Sequence, residues 1–242
     1  MRRNDSPSEY INKQQVDEIS RMGAPVDMIE ARDLLKESFN PDQYRLIILS
    51  GFLSPSEEIR RVIDEKLRKN GRTLLWCQFT PDDLTGEATV YDPYGPMTQG
   101  VFANERFPEK AVSCPRFSAS SLDGAYPLAF FADDGAPSVL AFERNGYREI
   151  VSALPCLPSE LLREIARIAG GHIYTRRGDI IYAGGNYVAI HARSAGEKRI
   201  CLPCPVKSLT DTQTKEQPFL FNGVYTDVEM KEFETRIYKI EV

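Results

Sequence analysis

No stretch of the 242-residue sequence approaches the ~20 consecutive apolar residues that a helix needs to span a bilayer. Met1 to Tyr10 is polar throughout and lacks the apolar core of a signal peptide. Both absences lead to the expectation of a cytoplasmic protein without a membrane partner. Clustered positive charge is equally scarce. The chain has 30 Lys and Arg against 35 Asp and Glu, a net charge of −5, and no basic block is longer than the Arg2-Arg3 pair and the short Lys66 to Lys69 segment. Neutralising a phosphate backbone requires clustered Lys and Arg, so nucleic acid is not an expected partner. Cysteine numbers five, an odd count spread over a long sequence, which fits a reducing compartment better than a disulfide framework. Internal repeats and low-complexity tracts are lacking.

What is present is ordinary soluble composition, 42% apolar and 27% charged, with enough chain for one large domain or two modest ones. The organising stretch runs from Tyr44 to Phe79. Tyr44-Arg-Leu-Ile-Ile-Leu49 is an apolar run of strand length, Ser54-Pro-Ser-Glu57 opens a segment of helical period, and Thr73-Leu-Leu-Trp-Cys77 is a second strand. Strand, helix, strand is a βαβ unit, which fixes an α/β class with parallel strands. It also places a ligand crevice at the strands' carboxyl ends, near Gly51 and Cys77 to Pro81. Ser54 is the expected helix cap, with Pro55 at the first helical position and Glu57 completing a capping box. Ile59, Val62, Ile63 and Leu67 share the inner face, while Glu57/Arg61, Asp64/Arg68 and Glu65/Lys69 are i,i+4 pairs on a solvated face.

Before this unit, Ser6-Pro-Ser-Glu9 and the helical spacing of Val16, Ile19 and Met22 predict a first helix, and Val26 to Glu30 reads as a strand. An α/β domain more naturally begins with a strand, so the domain is expected to start one strand late. After it, residues 80–121 carry five prolines and only brief apolar runs, which predicts short strands or a lid-like insertion near the crevice. Leu128 to Phe131, Ser138 to Phe142 and Glu149 to Ala153 read as hairpin-linked strands. A helix from Ser159 to Ile168 turns Leu161, Leu162, Ile165 and Ile168 inward and ends at Gly170-Gly171. Beyond His172, strands at Ile173-Tyr174, Ile180 to Tyr182, Tyr187 to Ala192, Arg199 to Leu202, Phe219 to Phe221, Val224 to Val228 and Phe233 to Val242 predict a small antiparallel sandwich. The resulting division is an α/β domain over 1–171 and an all-β domain over 172–242.

Several short motifs, in order, resemble a known family: Gly23-Ala-Pro-Val-Asp27, Asp33-Leu-Leu35, Tyr44-Arg-Leu-Ile-Ile48, Leu53-Ser-Pro-Ser-Glu-Glu58 and Asn70-Gly-Arg-Thr-Leu-Leu-Trp76. They are similar to the trimerisation domain of bacterial family 42 β-galactosidases, which has a flavodoxin-like fold of the class I glutamine amidotransferase type. Tyr187-Val-Ala-Ile-His-Ala192, Glu197-Lys-Arg-Ile-Cys-Leu-Pro203 and Glu234-Thr-Arg-Ile-Tyr238 resemble the small β domain that closes many such glycoside hydrolase chains. The resemblance implies an open sheet with helices on both faces and an association with carbohydrate metabolism. It implies as partners further copies of the chain or a glycoside hydrolase catalytic domain. In the relatives the hydrolytic carboxylates lie in a preceding barrel and the domain opens with a further strand. Neither has a counterpart here, so a fragment or stand-alone descendant of the non-catalytic part is expected.

Cys77 ends a central strand where class I amidotransferases carry their nucleophile. Such a cysteine needs a tight elbow with small neighbours and a histidine held by an acid. Its neighbours here are Trp76, Gln78 and Phe79, and the two histidines read His172-Ile-Tyr and His191-Ala-Arg, without the His-x-Glu spacing. A buried structural thiol is the expectation. Cys201-Leu-Pro-Cys204 has redox or zinc spacing but no second pair to complete four ligands, so no metal or other cofactor is expected. Asp82-Asp83, Asp92 and Asp133-Asp134 offer carboxylates, although acidic pairs beside Gly and Pro are commonly turn formers. Trp76, Tyr91 and Tyr94 are the aromatic residues expected to border the crevice beside Gly51 and Cys77, where a carbohydrate would stack; Trp76 reads equally as core. The leading expectation is a non-catalytic assembly or accessory module. The alternatives are a carbohydrate-active hydrolase, with Cys77 or Asp92 as the candidate catalytic group, and a small-ligand-binding protein using the same crevice.

Overall fold

The computed structural model describes residues 7–50, 55–77, 98–112, 117 and 124–242. The chain divides into two compact units. One comprises the chain through Gln15 together with Met28–Pro158, and the other Val16–Asp27 together with Ser159–Val242.

The first unit is built on a seven-stranded mixed sheet. Its strands are β1 (Leu46–Ser50), β2 (Arg72–Cys77), β3 (Thr98–Phe102), β4 (Glu105–Val112), β5 (Tyr126–Phe131), β6 (Pro137–Arg144) and β7 (Tyr147–Ser152), in the spatial order β1-β2-β7-β6-β5-β3-β4. β1, β2 and β7 run parallel, with Leu46 opposite Thr73 and Arg72 opposite Tyr147. From β7 onward the sheet continues antiparallel through β6, β5, β3 and β4. The expected βαβ core is therefore present, but its parallel set is three of the seven strands. The tight turns at Asp133-Asp-Gly135 and Asn145-Gly146 join β5, β6 and β7 in hairpins, which enforce antiparallel neighbours. The proline-rich stretch contributes β3 and β4; its other residues, apart from Phe117, lie outside the described ones.

Helix α1 (Pro7–Ser20) agrees with its sequence signal. The segment Val26 to Glu30 does not. It joins no ladder, and a 3-10 turn at Ala31–Leu35 follows directly. Strand-like composition yields a strand only where a neighbour offers its hydrogen-bonding edge. The crossover helix α2 (Glu57–Val62) starts two residues later than expected. Ser56, not Ser54, is its cap, with the hydroxyl accepting the Ile59 N–H at 3.4 Å. A π turn, Ile63–Leu67, extends it to Arg68. Leu67 is fully buried, and Ile63 and Leu67 pack with Leu49, Leu74, Trp76, Leu140, Phe142 and Val151 into the core of the sheet face under this helix.

The second unit holds α3 (Ser159–Ile168) and the strands β8 (Ile180–Gly184), β9 (Tyr187–His191), β10 (Gly196–Cys201), β11 (Ser208–Asp211), β12 (Tyr225–Met230) and β13 (Thr235–Glu241). They form two antiparallel sheets, β11-β13-β9-β8 and β10-β12, which share one core of Ile181, Val188, Ile190, Ile200, Leu209, Val228, Met230 and Tyr238. Residues 16–27 are tied to α3. Arg163 donates from Nε to the Met22 carbonyl and from Nη2 to the Arg21 carbonyl, both at 3.0 Å, and the Ser159 N–H meets Glu18 at 2.8 Å. Ile168 is 45% exposed, against the expectation that it turns inward, because it lies past the buried stripe of Leu161, Leu162 and Ile165. Ile173-Tyr174 joins no ladder and Phe221 makes only an isolated bridge to Tyr225, whereas β11 had no signal of its own in a run as polar as Ser208-Leu-Thr-Asp211. No helix among the described residues is long and apolar enough to cross a membrane.

Candidate functional site

The parallel strands bring their carboxyl ends side by side: Ser50 of β1 pairs with Cys77 of β2, and Cys77 with Ser152 of β7. This is where the sequence places the crevice. Of its expected lining, Trp76 and Cys77 are described; Gly51, Tyr91, Tyr94 and Asp92 lie outside the described residues, as do Asp82 and Asp83.

Cys77 is 1% exposed, and burial pushes its thiol up to about 12. Only a thiolate is a competent nucleophile, so a thiol raised this far is inert near neutrality. The two histidines have partners of their own within the second unit, where His172 Nε2 sits 2.9 Å from the Cys201 carbonyl and His191 Nδ1 sits 2.8 Å from the Thr235 hydroxyl. The Ser152 hydroxyl is buried and exchanges hydrogen bonds with the Leu154 backbone at 2.8 and 3.1 Å, closing a turn.

Trp76 is 6% exposed and is a core residue with a polar anchor. Its indole N–H donates to Glu149 Oε1 at 3.1 Å, and the same oxygen accepts from Arg68 Nη2 at 3.0 Å. Arg144 Nε lies 3.4 Å from the second oxygen, Oε2. The Arg68 guanidinium also sits 5.9 Å from the Trp76 ring and pairs with Asp64 at 2.8 Å. Desolvation is the largest influence on the Arg68 charge and works against it, but Glu149, Tyr147 and Asp64 together outweigh it and hold the guanidinium above its ordinary value. Strand alternation explains the assembly. Glu149 is opposite Leu74 in β7/β2 and opposite Phe142 in β6, so it emerges on the face carrying Leu74, Trp76 and Phe142. A fully buried carboxylate must be paired, and two arginines and an indole do so. Sequence reasoning missed this cluster. Only the Asp64/Arg68 spacing hinted at it, because nothing local marks Glu149 as buried.

The second unit has a comparable knot. Asp179 and Lys198 are buried and 3.0 Å apart, with the Arg193 N–H at 3.1 Å from Asp179 Oδ1 and Ser194 within 3.1 Å of the lysine. Cys201 is half-buried and Cys204 exposed, both as free thiols, and no group of three or more metal-ligating side chains occurs among the described residues. Asp133 and Asp134 form a turn: Asp133 accepts the Asp134 N–H at 3.1 Å and Asp134 accepts the Ala136 N–H at 2.9 Å. An open groove is lined by Met28, Ile29, Glu30, Arg32, Asp33 and Lys36, and its charges are spent on one another, Arg32 on Glu30 and Lys36 on Asp33, both at 2.6 Å. Among the described residues no nucleophile, base and acid converge. The geometry provides buried clusters whose opposite charges are paired, with Glu149 Oε2 and Asp179 Oδ2 left without a hydrogen bond.

No protein-family model matches the sequence. No curated protein matches it either. Solved structures do share its fold. A β-galactosidase from Bacillus circulans sp. alkalophilus matches with a TM-score of 0.64 at 14% identity, covering 97% of this chain and 38% of that one. A catalytic mutant of a GH42 β-galactosidase from G. stearothermophilus gives 0.60 at 15% identity over 98% of this chain and 37% of its own. The β-galactosidase of the Antarctic haloarchaeon Halorubrum lacusprofundi gives 0.60 at 11% identity, covering 97% and 36%. The chain thus spans little more than a third of the length of these enzymes, and at such identities the likeness is one of fold.

Proposed function

We propose that this chain is a non-catalytic assembly or accessory module of the kind found in family 42 β-galactosidases, associated with carbohydrate metabolism. In this reading residues 1–171 are an amidotransferase-like α/β domain of the trimerisation type and residues 172–242 are the closing β domain. Its partners are further copies of itself or a glycoside hydrolase catalytic domain. The observation that carries the reading is the fold likeness over 97% of this chain to 38% of a β-galactosidase. The sealed Cys77 thiol supports it from the chemistry, because this strand-end thiol is 1% exposed and held protonated.

The test is to measure mass in solution together with hydrolysis of aryl galactosides. A stable oligomer without turnover is the expected result. A monomer that hydrolyses them would exclude an assembly module.

A further inference from the structure

Every residue of the second unit is described, and exposed aromatic side chains gather on it in two places. In the first, Phe219 meets Phe221 edge to face at 4.8 Å, and Phe221 lies parallel to Tyr225 at 4.7 Å. The Arg199 guanidinium sits 4.5 Å over the Tyr225 ring. These side chains cover one another. In the second, Tyr182 and Tyr187 stand 65% and 48% exposed on the outer face of the β11-β13-β9-β8 sheet.

The strand register sets what surrounds the two tyrosines. Val188, Ile190 and Tyr238 belong to the core, so alternation turns Tyr187, Ala189 and His191 of β9 and Ile237 and Lys239 of β13 outward. Ala189 lies between Tyr182 on β8 and Ile237 on β13, and along its own strand between Tyr187 and His191. A single methyl group thus floors a shallow dish ringed by four larger side chains. Neighbouring strands are about 4.8 Å apart, so the dish measures about 10 Å between the strands of Tyr182 and Ile237. The outer face of such a sheet is ordinarily polar. Here apolar ring faces are joined to polar tips: the tyrosine hydroxyls, the Lys239 ammonium opposite Tyr187, and the imidazole of His191, whose Nδ1 sits 2.8 Å from the Thr235 hydroxyl.

We propose that this dish binds the galactosyl ring of a β-linked galacto-oligosaccharide, its C–H face over Ala189 against Tyr182 and Tyr187 and its hydroxyls toward His191 and Lys239. A pyranose carries C–H groups on its face and hydroxyls around its edge, which is the pattern that apolar walls with a few polar tips accept. Galactose suits them because its axial 4-hydroxyl leaves the opposite ring face to C–H groups. Stacked nucleobases would require a cationic track beside the rings, and Lys239 is the only cation among the outward residues of β8, β9 and β13. The choice of sugar rests on the carbohydrate association proposed above; the site does not depend on the oligomeric state.

The experiment is calorimetric titration of the wild-type full chain with β-linked galactotetraose, and with cellotetraose in parallel. Saturable binding of galactotetraose is expected, weakened about tenfold by Tyr182→Ala or Tyr187→Ala. Ala189→Ile should abolish it by filling the dish without removing a ring, and a β-branched residue suits the strand. Phe219→Ala, at the self-covered cluster, should bind as the wild type does, and all four variants should keep the wild-type circular dichroism spectrum. A wild type that binds neither sugar, or binding that survives both Tyr182→Ala and Ala189→Ile, overturns the inference. Either result leaves the assembly reading standing, since that is judged by mass and turnover. Cellotetraose bound as tightly as galactotetraose overturns the assignment to galactose. A wild type that binds neither sugar and loses oligomeric mass on Tyr182→Ala shows a subunit contact in place of a sugar site.

Discussion

Replacing Glu149 by Gln tests whether the buried cluster around Trp76 holds the first unit together. The carboxylate has no exposed surface, and it is the shared acceptor for Arg68 at 3.0 Å and Trp76 at 3.1 Å and the counter-ion of Arg144 at 3.4 Å. Breaking a buried ion pair by removing one partner costs about 3–5 kcal/mol, because an uncompensated charge stays behind. Two features reduce that figure. The Arg68 and Arg144 side chains are 24% and 30% exposed, so both regain some solvent, and Arg68 keeps Asp64 at 2.8 Å. Gln also retains an acceptor for the indole. The expected loss is therefore about 2–3 kcal/mol, the lower part of the range. Trp76 is the only tryptophan, so its emission during urea unfolding reports on this unit alone. Glu149→Gln should lower the midpoint of that transition with its slope unchanged, and Arg68→Met in the same background should cost less than it does alone. A loss below about 0.5 kcal/mol, or additive effects of the two substitutions, would refute the account, since neither is compatible with a shared buried charge.

Other consequences can be checked in the same way. Cys77→Ala should leave oligomeric mass unchanged and flatten the alkaline side of the stability profile. The thiol is raised from an ordinary 9.0 to about 12, so above pH 9 the unfolded chain releases a proton that the folded one retains. Stability then falls by about 1.4 kcal/mol per pH unit between those values in the wild type and is unaffected below them. Gly23→Ala should unfold the second unit or cost it several kcal/mol, about 3 or more, by thermal scanning: the added Cβ would sit 1.9 Å from the Thr175 carbonyl oxygen at a φ of +86°. A soluble variant of wild-type stability would contradict the close approach. Asp179→Ala should cost about 3–5 kcal/mol by leaving the 2%-exposed Lys198 unpaired, and Asp179→Ala with Lys198→Met should recover part of the loss. A double variant no more stable than Asp179→Ala would show that the pair is not what matters.

What the sequence made legible was set by local signals. The crossover unit was readable because two apolar runs flank a segment of helical period, and β5 to β7 because turn residues separate them. The cap moved from Ser54 to Ser56 because the two serines offer the same chemistry two residues apart, and the backbone's entry into the helix decides between them. Val26 to Glu30 has strand composition without a strand, since pairing depends on a neighbour that local sequence does not reveal. Glu149 was invisible for a related reason: a carboxylate becomes a core residue only through Arg68 and Arg144, one of them 81 positions away in sequence. In the candidate site, the bland reading of Cys77 and Trp76 as core was available from their bulky neighbours and agrees with their burial. The crevice residues Gly51, Tyr91, Tyr94 and Asp92 remain expectations of the sequence.

Sedimentation equilibrium of the wild-type full chain, read beside an aryl-galactoside assay on the same sample, tests the central claim most directly. An assembly module predicts a mass that is a multiple of 27.3 kDa and no turnover. A 27.3 kDa monomer that releases the aryl group would contradict it.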